Sequence, residues 1–256
     1  TLSMIREEFH ARHFDIDEVM LYHFQMVERH VFTQRGLSPD RKLLIGAIFS
    51  GEYALESAAL FNPSIVPHPD QGDVPLGALR FVMSLRATGE GHISSIEFRS
   101  GIIDADGMVR VDEISKCLTV PHVLRDPSYN KRRFINKLHE MGAESDNISS
   151  VMNPLPDLFT LTDLKLSIES VKKEVKYVTL DLVRAIERIK WLADSNYELQ
   201  FPLSLQMSER IIFPVSANES NGIEDARFVR FIDENGSVMY YATYTAYNGR
   251  ATLPQL

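Results

Sequence analysis

The chain has 256 residues, 44% hydrophobic and 24% charged, which is ordinary for a folded protein and enough for one large domain or two modest ones. A formal net charge of -8 argues against nucleic acid as a partner, because phosphate polymers are repelled in bulk. The single cysteine, Cys117, excludes an intrachain disulfide and a thiolate zinc site. It reads as a buried structural thiol in a reducing compartment, so the cytoplasm is the expected location. No apolar run reaches the roughly 20 residues of a membrane span, and nothing after Thr1 has the form of a signal peptide, so no membrane partner is expected.

Between Ser3 and about Arg35, apolar residues recur at helical spacing: Ile5, Phe9, Phe14, Val19, Leu21, Phe24, Val27 and Val31. That predicts one or two amphipathic helices, broken near His13-Phe14-Asp15. His10, His13, His23 and His30 have no metal-ligand spacing and read as ordinary surface or core residues. Ser38-Pro39-Asp40 starts a further helix, capped by Ser38 and running towards Leu60. At Phe61-Asn62-Pro63-Ser64 the texture changes, and residues 65–70 read as a short strand ending in a loop.

Residues 79–86 and 92–99 are predicted strands, joined by a turn containing Gly89 and Gly91, and the meander continues to Val111. From about Asp126 to Ala193 the pattern is helical. It has a basic face over residues 131–141, mixed charges over 163–176 and an apolar stripe over 179–191, as expected of packing helices inserted between strands. Strand texture returns at residues 210–215, followed by a hairpin of 226–232 and 239–247 around Asn235-Gly236. Pro254 follows closely, so the hairpin edge is expected to be open and the chain reads as part of a domain completed elsewhere.

Two groups of residues carry candidate chemistry. Glu224 and Asp225 are adjacent carboxylates at a strand start, where alternation sends them to opposite faces; one would face a pocket while Arg227 or backbone donors hold the other. Such a split suits one of them to proton donation. The same spacing also fits a solvated acidic turn with Arg227 as its surface partner. Arg80 and Arg86, six residues apart on one strand, share a face and are expected to converge on one anion, or else to flank Phe81, Met83 and Leu85 as surface arginines. Asn62 reads as a turn residue or as a sugar ligand.

Phe61-Asn62-Pro63-Ser64, Arg80 and Arg86, Gly222-Ile223-Glu224-Asp225-Ala226-Arg227, and the segment from Tyr240 to Gly249 resemble, in order, the motifs of glycoside hydrolase family 130. The resemblance implies a mainly β fold with helical additions, namely part (about two blades) of a five-bladed β-propeller. It places an N-terminal helical segment at 1–60, a first blade region at 61–125, a helical insertion at 126–200 and a truncated second blade region at 201–256.

It also implies inverting phosphorolysis of β-mannoside-type oligosaccharides. Asp225 would be the general acid, Asn62, Arg80 and Glu224 would bind sugar, Arg86 would bind phosphate, and Arg227 would give structural support. Inorganic phosphate is then a co-substrate, and no other cofactor or metal is expected. A β-mannoside hydrolase, which needs a second carboxylate to activate water, and a non-catalytic carbohydrate-binding or interaction module are the alternatives. A regulatory helical protein is a third, resting on the helices alone. Ala226 stands where the family has proline, and both the long insertion and the N-terminal helices depart from typical members. A homo-oligomer formed through the helical segments is expected, because their apolar stripes must pack somewhere.

Overall fold

A computed structural model describes residues 1–13, 15–32, 36–124, 128–143 and 146–256. Phe14, Arg35 and Asp126, which fall within the helical stretches expected from sequence, lie outside the described residues. The N-terminal segment forms helices α1 (Leu2–Phe9), α2 (Ile16–Val27) and α3 (Pro39–Phe49). The side chain of Asp15 caps α2, and Ser38 caps α3 by accepting from the Arg41 backbone N–H. Helices α2 and α3 cross closely at Gly46: a Cβ there would sit 1.7 Å from the Met20 carbonyl oxygen, so no larger residue fits. α3 ends at Phe49, well short of Leu60, and residues 59–67 form a strand instead.

That strand, β1 (Ala59–Pro67), leads a meander with β2 (Leu79–Thr88), β3 (Ser94–Ile103) and β4 (Val109–Val111). Next come β5 (His122–Leu124), β6 (Ser128–Asn130), α4 (Lys131–Glu140), α5 (Asp146–Met152), β7 (Leu158–Thr160), α6 (Leu161–Glu174), α7 (Leu180–Asp194), β8 (Glu198–Gln200) and β9 (Ile211–Ile212). The chain closes with β10 (Gly222–Ile232), β11 (Val238–Tyr247) and β12 (Thr252–Gln255). β12 pairs with β11, so the hairpin edge that the sequence left open is covered. The strand expected over 210–215 shortens to Ile211–Ile212, which pairs with β3.

Strand order in the main sheet is β1-β2-β3-β10-β11-β12, with β4 and β9 also on β3. Between β3 and β10 only one parallel bridge, Gly222 to Ser94, joins the backbones. The sheet is therefore two antiparallel meanders sharing one core of Val66, Val82, Ile96, Phe98, Ile223 and Ala226, with Phe228, Tyr240 and Tyr244 packed against it. Helices make up 37% of the structure and strands 30%, so the expected β sheet with helices is present but the helices outweigh it.

Half of that helix lies in the inserted segment, which has its own core running from Tyr129 and Phe134 through Phe159, Leu164 and Ile168 to Ile189 and Ala193. Two ribbons organise it: β6 with β7 inside the unit, and β5 with β8 at its neck. Buried Glu219 fastens the unit to the second meander. Its carboxylate accepts from the Tyr197 hydroxyl at 2.9 and 3.0 Å, the Tyr244 hydroxyl at 2.7 Å, and the backbone N–H groups of Val215 and Ser216. Burial first, and then Glu219, raises both phenol pKa values, so the tyrosines remain donors. Cys117 is half-buried rather than fully buried. Among the described residues no helix is long and apolar enough to cross a membrane.

Glu97, fully buried on β3, has Arg99 beside one oxygen at 3.0 Å while Oε1 has no hydrogen-bond partner. Arg99 also reaches Glu56 at 2.5 Å. Burial, then the neighbouring Glu56, pushes the Glu97 carboxyl up to about 7 from 4.5. The folded state therefore keeps a proton that the unfolded chain releases, and the stability gained from it is complete below about 4.5 and lost as pH rises through about 7. Urea denaturation should show a fall on the order of 2 kcal/mol across that window, flattened in Glu97→Gln. An equal slope in the variant would rule out this group as the source.

Candidate active site

Each meander carries a bulge on its leading strand. In β1 the pairing steps from Phe61–Arg86 to Ser64–Ser84, leaving Asn62 and Pro63 opposite one residue. In β10 it steps from Glu224–Thr245 to Arg227–Thr243, leaving Asp225 and Ala226 opposite one residue. Pro63 is tolerated because the bulge asks no ladder hydrogen bond of it. The first residue of each bulge is left-handed, with φ of 52° at both Asn62 and Asp225. For residues bearing a Cβ this costs about 1–2 kcal/mol, and it persists only where surrounding contacts over-determine it.

Those contacts are present, and they run between the bulges. Asn62 Nδ2 donates to Asp225 Oδ1 at 2.5 Å, across 163 residues of sequence. Arg227 Nη1 donates to the carbonyls of Asn62 at 3.1 Å and Pro63 at 2.7 Å, and the Phe228 N–H donates to Ser64 Oγ at 2.9 Å. Arg86 completes the cluster: Nη2 meets Glu224 Oε1 at 2.6 Å, Nη1 meets Asp225 Oδ1 at 3.3 Å, and Nε donates to Ser94 Oγ at 3.0 Å. Its guanidinium lies over the Phe61 ring at 5.1 Å.

The two carboxylates do not divide between opposite faces. Both meet Arg86, because the bulge at Asp225 breaks the strand alternation on which that expectation rested. Nor do the arginines converge. β2 is regular along its length, so Arg80 lies about 20 Å along the strand from Arg86. There it faces Asp70 at 3.8 Å and lines a separate cleft with His68 and Asp112. Asn62, Arg86, Glu224, Asp225 and Arg227 meet; Arg80 stands apart.

Ser94, fully buried and bonded to Arg86, had no signal in the sequence: a serine inside an apolar strand resembles filler. Ala226 is buried in the shared core, and Arg227 beside it reaches across to the first meander. Of the later tyrosines, Tyr240 donates to the Pro67 carbonyl and Tyr244 to Glu219, so both serve packing.

Chemically, the cluster presents one carboxylate with its two oxygens treated differently. Oδ1 of Asp225 takes both the Asn62 amide and the Arg86 guanidinium, while Oδ2 has no partner among the described residues. The side chain is 42% exposed, against 20% for Glu224 and Arg86. Three of the five Arg86 N–H donors are engaged, leaving two for a ligand. Among the described residues no three His, Cys, Asp or Glu side chains are grouped to hold a metal ion.

Comparison with known proteins finds no significant match to a family model, a curated protein or a solved structure.

Two variants separate the backbone cost at the bulge from the amide bond. Both variants lose the amide, but Asn62→Gly also removes the Cβ from the positive-φ position, whereas Asn62→Ala keeps it there. In urea denaturation the alanine variant should be less stable than the glycine variant by about 1 kcal/mol. Equal stability would mean that the left-handed geometry carries no strain.

Proposed function

We propose that this chain carries the catalytic acid of a glycoside-processing enzyme built as a five-bladed β-propeller, and that the reaction is inverting phosphorolysis of β-mannoside-type oligosaccharides. The observation that carries the reading is the meeting of Asn62, Arg86, Glu224 and Asp225 at two facing left-handed bulges. Strained residues held by cross-strand polar contacts are characteristic of functional sites. Asp225 acts as the general acid through its free Oδ2, directly or through a sugar hydroxyl, with Asn62 fixing its orientation.

Inorganic phosphate supplies the nucleophile already charged, so one acid suffices, and the two uncommitted N–H groups of Arg86 suit an anion. Glu224 is pinned to Arg86 at 2.6 Å, which favours phosphorolysis over a hydrolysis needing a second free carboxylate. In this reading the two meanders are neighbouring blades. The outer face of the second exposes Val229, Phe231, Met239 and Tyr241, an apolar surface suited to a further blade.

The test is incubation of the complete five-bladed enzyme that this reading implies, the two blades alone being expected to be inactive, with β-linked mannose disaccharides, with and without inorganic phosphate. Mannose 1-phosphate should form only with phosphate, and Asp225→Asn should lower the rate at least about 100-fold. Free mannose released without phosphate would replace phosphorolysis by hydrolysis, and unchanged activity in the variant would remove Asp225 from the acid role.

Self-association through the N-terminal helices belongs to the same proposal. Tyr22, Met26, Ile48 and Phe49 on α2 and α3 are 58–71% exposed. Light scattering at micromolar concentration should give more than a monomer mass, reduced by Ile48→Glu with Tyr22→Lys; a monomer would end this part.

A further inference from the structure

A second site lies away from the bulges, between the inserted helical unit and the outer strand of the second meander. The groove has a volume of about 880 Å³, within the range typical of ligand pockets. Trp191 of α7, the only tryptophan in the chain, lines it together with Arg133 of α4 and Gln255 of β12. Trp191 also packs against the helical core, which fixes the indole in place. Among the described residues the indole N–H, the Arg133 guanidinium and the Gln255 carboxamide have no partner within the protein. Charge along the groove is close to balanced, since Arg133 is offset by Glu198 and Lys137 is paired with Glu140 at 3.0 Å.

We propose that this groove is an accessory carbohydrate site holding sugar units remote from the bond being cleaved. An uncharged polyhydroxylated ligand fits a neutral lining. The C–H face of a pyranose stacks on an indole, and its adjacent hydroxyls pair with planar guanidinium and amide groups. Position favours a single extended ligand. Gln255 pairs with Tyr244, the residue opposite the Asp225 bulge, so the backbones of Gln255 and Asp225 lie at one level of the sheet, two strand spacings or about 10 Å apart. This inference rests on the glycoside reading for its ligand class, not for its geometry.

The single tryptophan gives a direct test. Titrating the 256-residue protein with linear β-linked manno-oligosaccharides should shift Trp191 fluorescence saturably, and equally in Asp225→Asn. Arg133→Ala and Gln255→Ala should each weaken binding about 5-fold. Trp191→Ala should abolish calorimetric binding at this site and raise KM for a tetrasaccharide but not for a disaccharide. Turnover without a fluorescence change would overturn the groove and leave the Asp225 reading intact. A saturable change in a protein that turns over no glycoside would uphold the groove and overturn the reaction.

Discussion

The structure around the candidate site depends on one constraint: two residues with side chains, Asn62 and Asp225, are held in left-handed backbone on facing strands. Neither conformation is self-sustaining, since each is disfavoured for a residue with a Cβ. Each is kept by the other meander. The Asn62 amide fixes Asp225, and Arg227, two residues beyond Asp225, fixes the carbonyls on either side of the Asn62–Pro63 bond. The arrangement is reciprocal: each bulge is held by contacts from the other meander. One backbone bridge, Gly222 to Ser94, would be a weak hinge; the polar cross-links and the shared apolar core turn it into a fixed angle.

Glu219 is the second anchor. Two phenols and two backbone N–H groups converge on one buried carboxylate, leaving it well satisfied despite its burial. Tyr197 brings in the end of the helical unit, and Tyr244 brings in the strand opposite the Asp225 bulge. One side chain thus links the end of the helical unit to the strand opposite Asp225. Ser94 has a comparable role on the first meander, where it turns Arg86 so that one nitrogen faces each carboxylate.

Local pattern made much of the architecture legible. The helix capped at Ser38, the β2–β3 hairpin and the Asn235-Gly236 turn follow from capping and turn chemistry, which act within a few residues. Asn62, Arg86, Glu224, Asp225 and Arg227 are nameable as polar and charged residues beside expected turns and strand starts. Their geometry is not. Alternation sends Glu224 and Asp225 to opposite faces and puts Arg80 with Arg86, because it assumes a regular strand and ignores distance along it. Bulges at Asn62 and Asp225 arise from contacts 163 residues apart, which no local window contains. Pro63 misled for the same reason: it looks like a strand breaker until its bulge is known.

The neck formed by β5 and β8 has a consequence for how the chain reaches this state. Asn62 must find Asp225 across a long stretch of polypeptide, and the entropy of closing such a loop delays non-local pairing. The helical unit has its own core, and its two ends are drawn together by His122–Leu124 against Glu198–Gln200. Once it has collapsed, most of the intervening chain no longer counts as flexible loop. The search between bulges is then shortened to the segments on either side of the neck. The insertion is expected to act as an internal scaffold for assembly, so that mutations loosening its core would slow formation of a site they never touch.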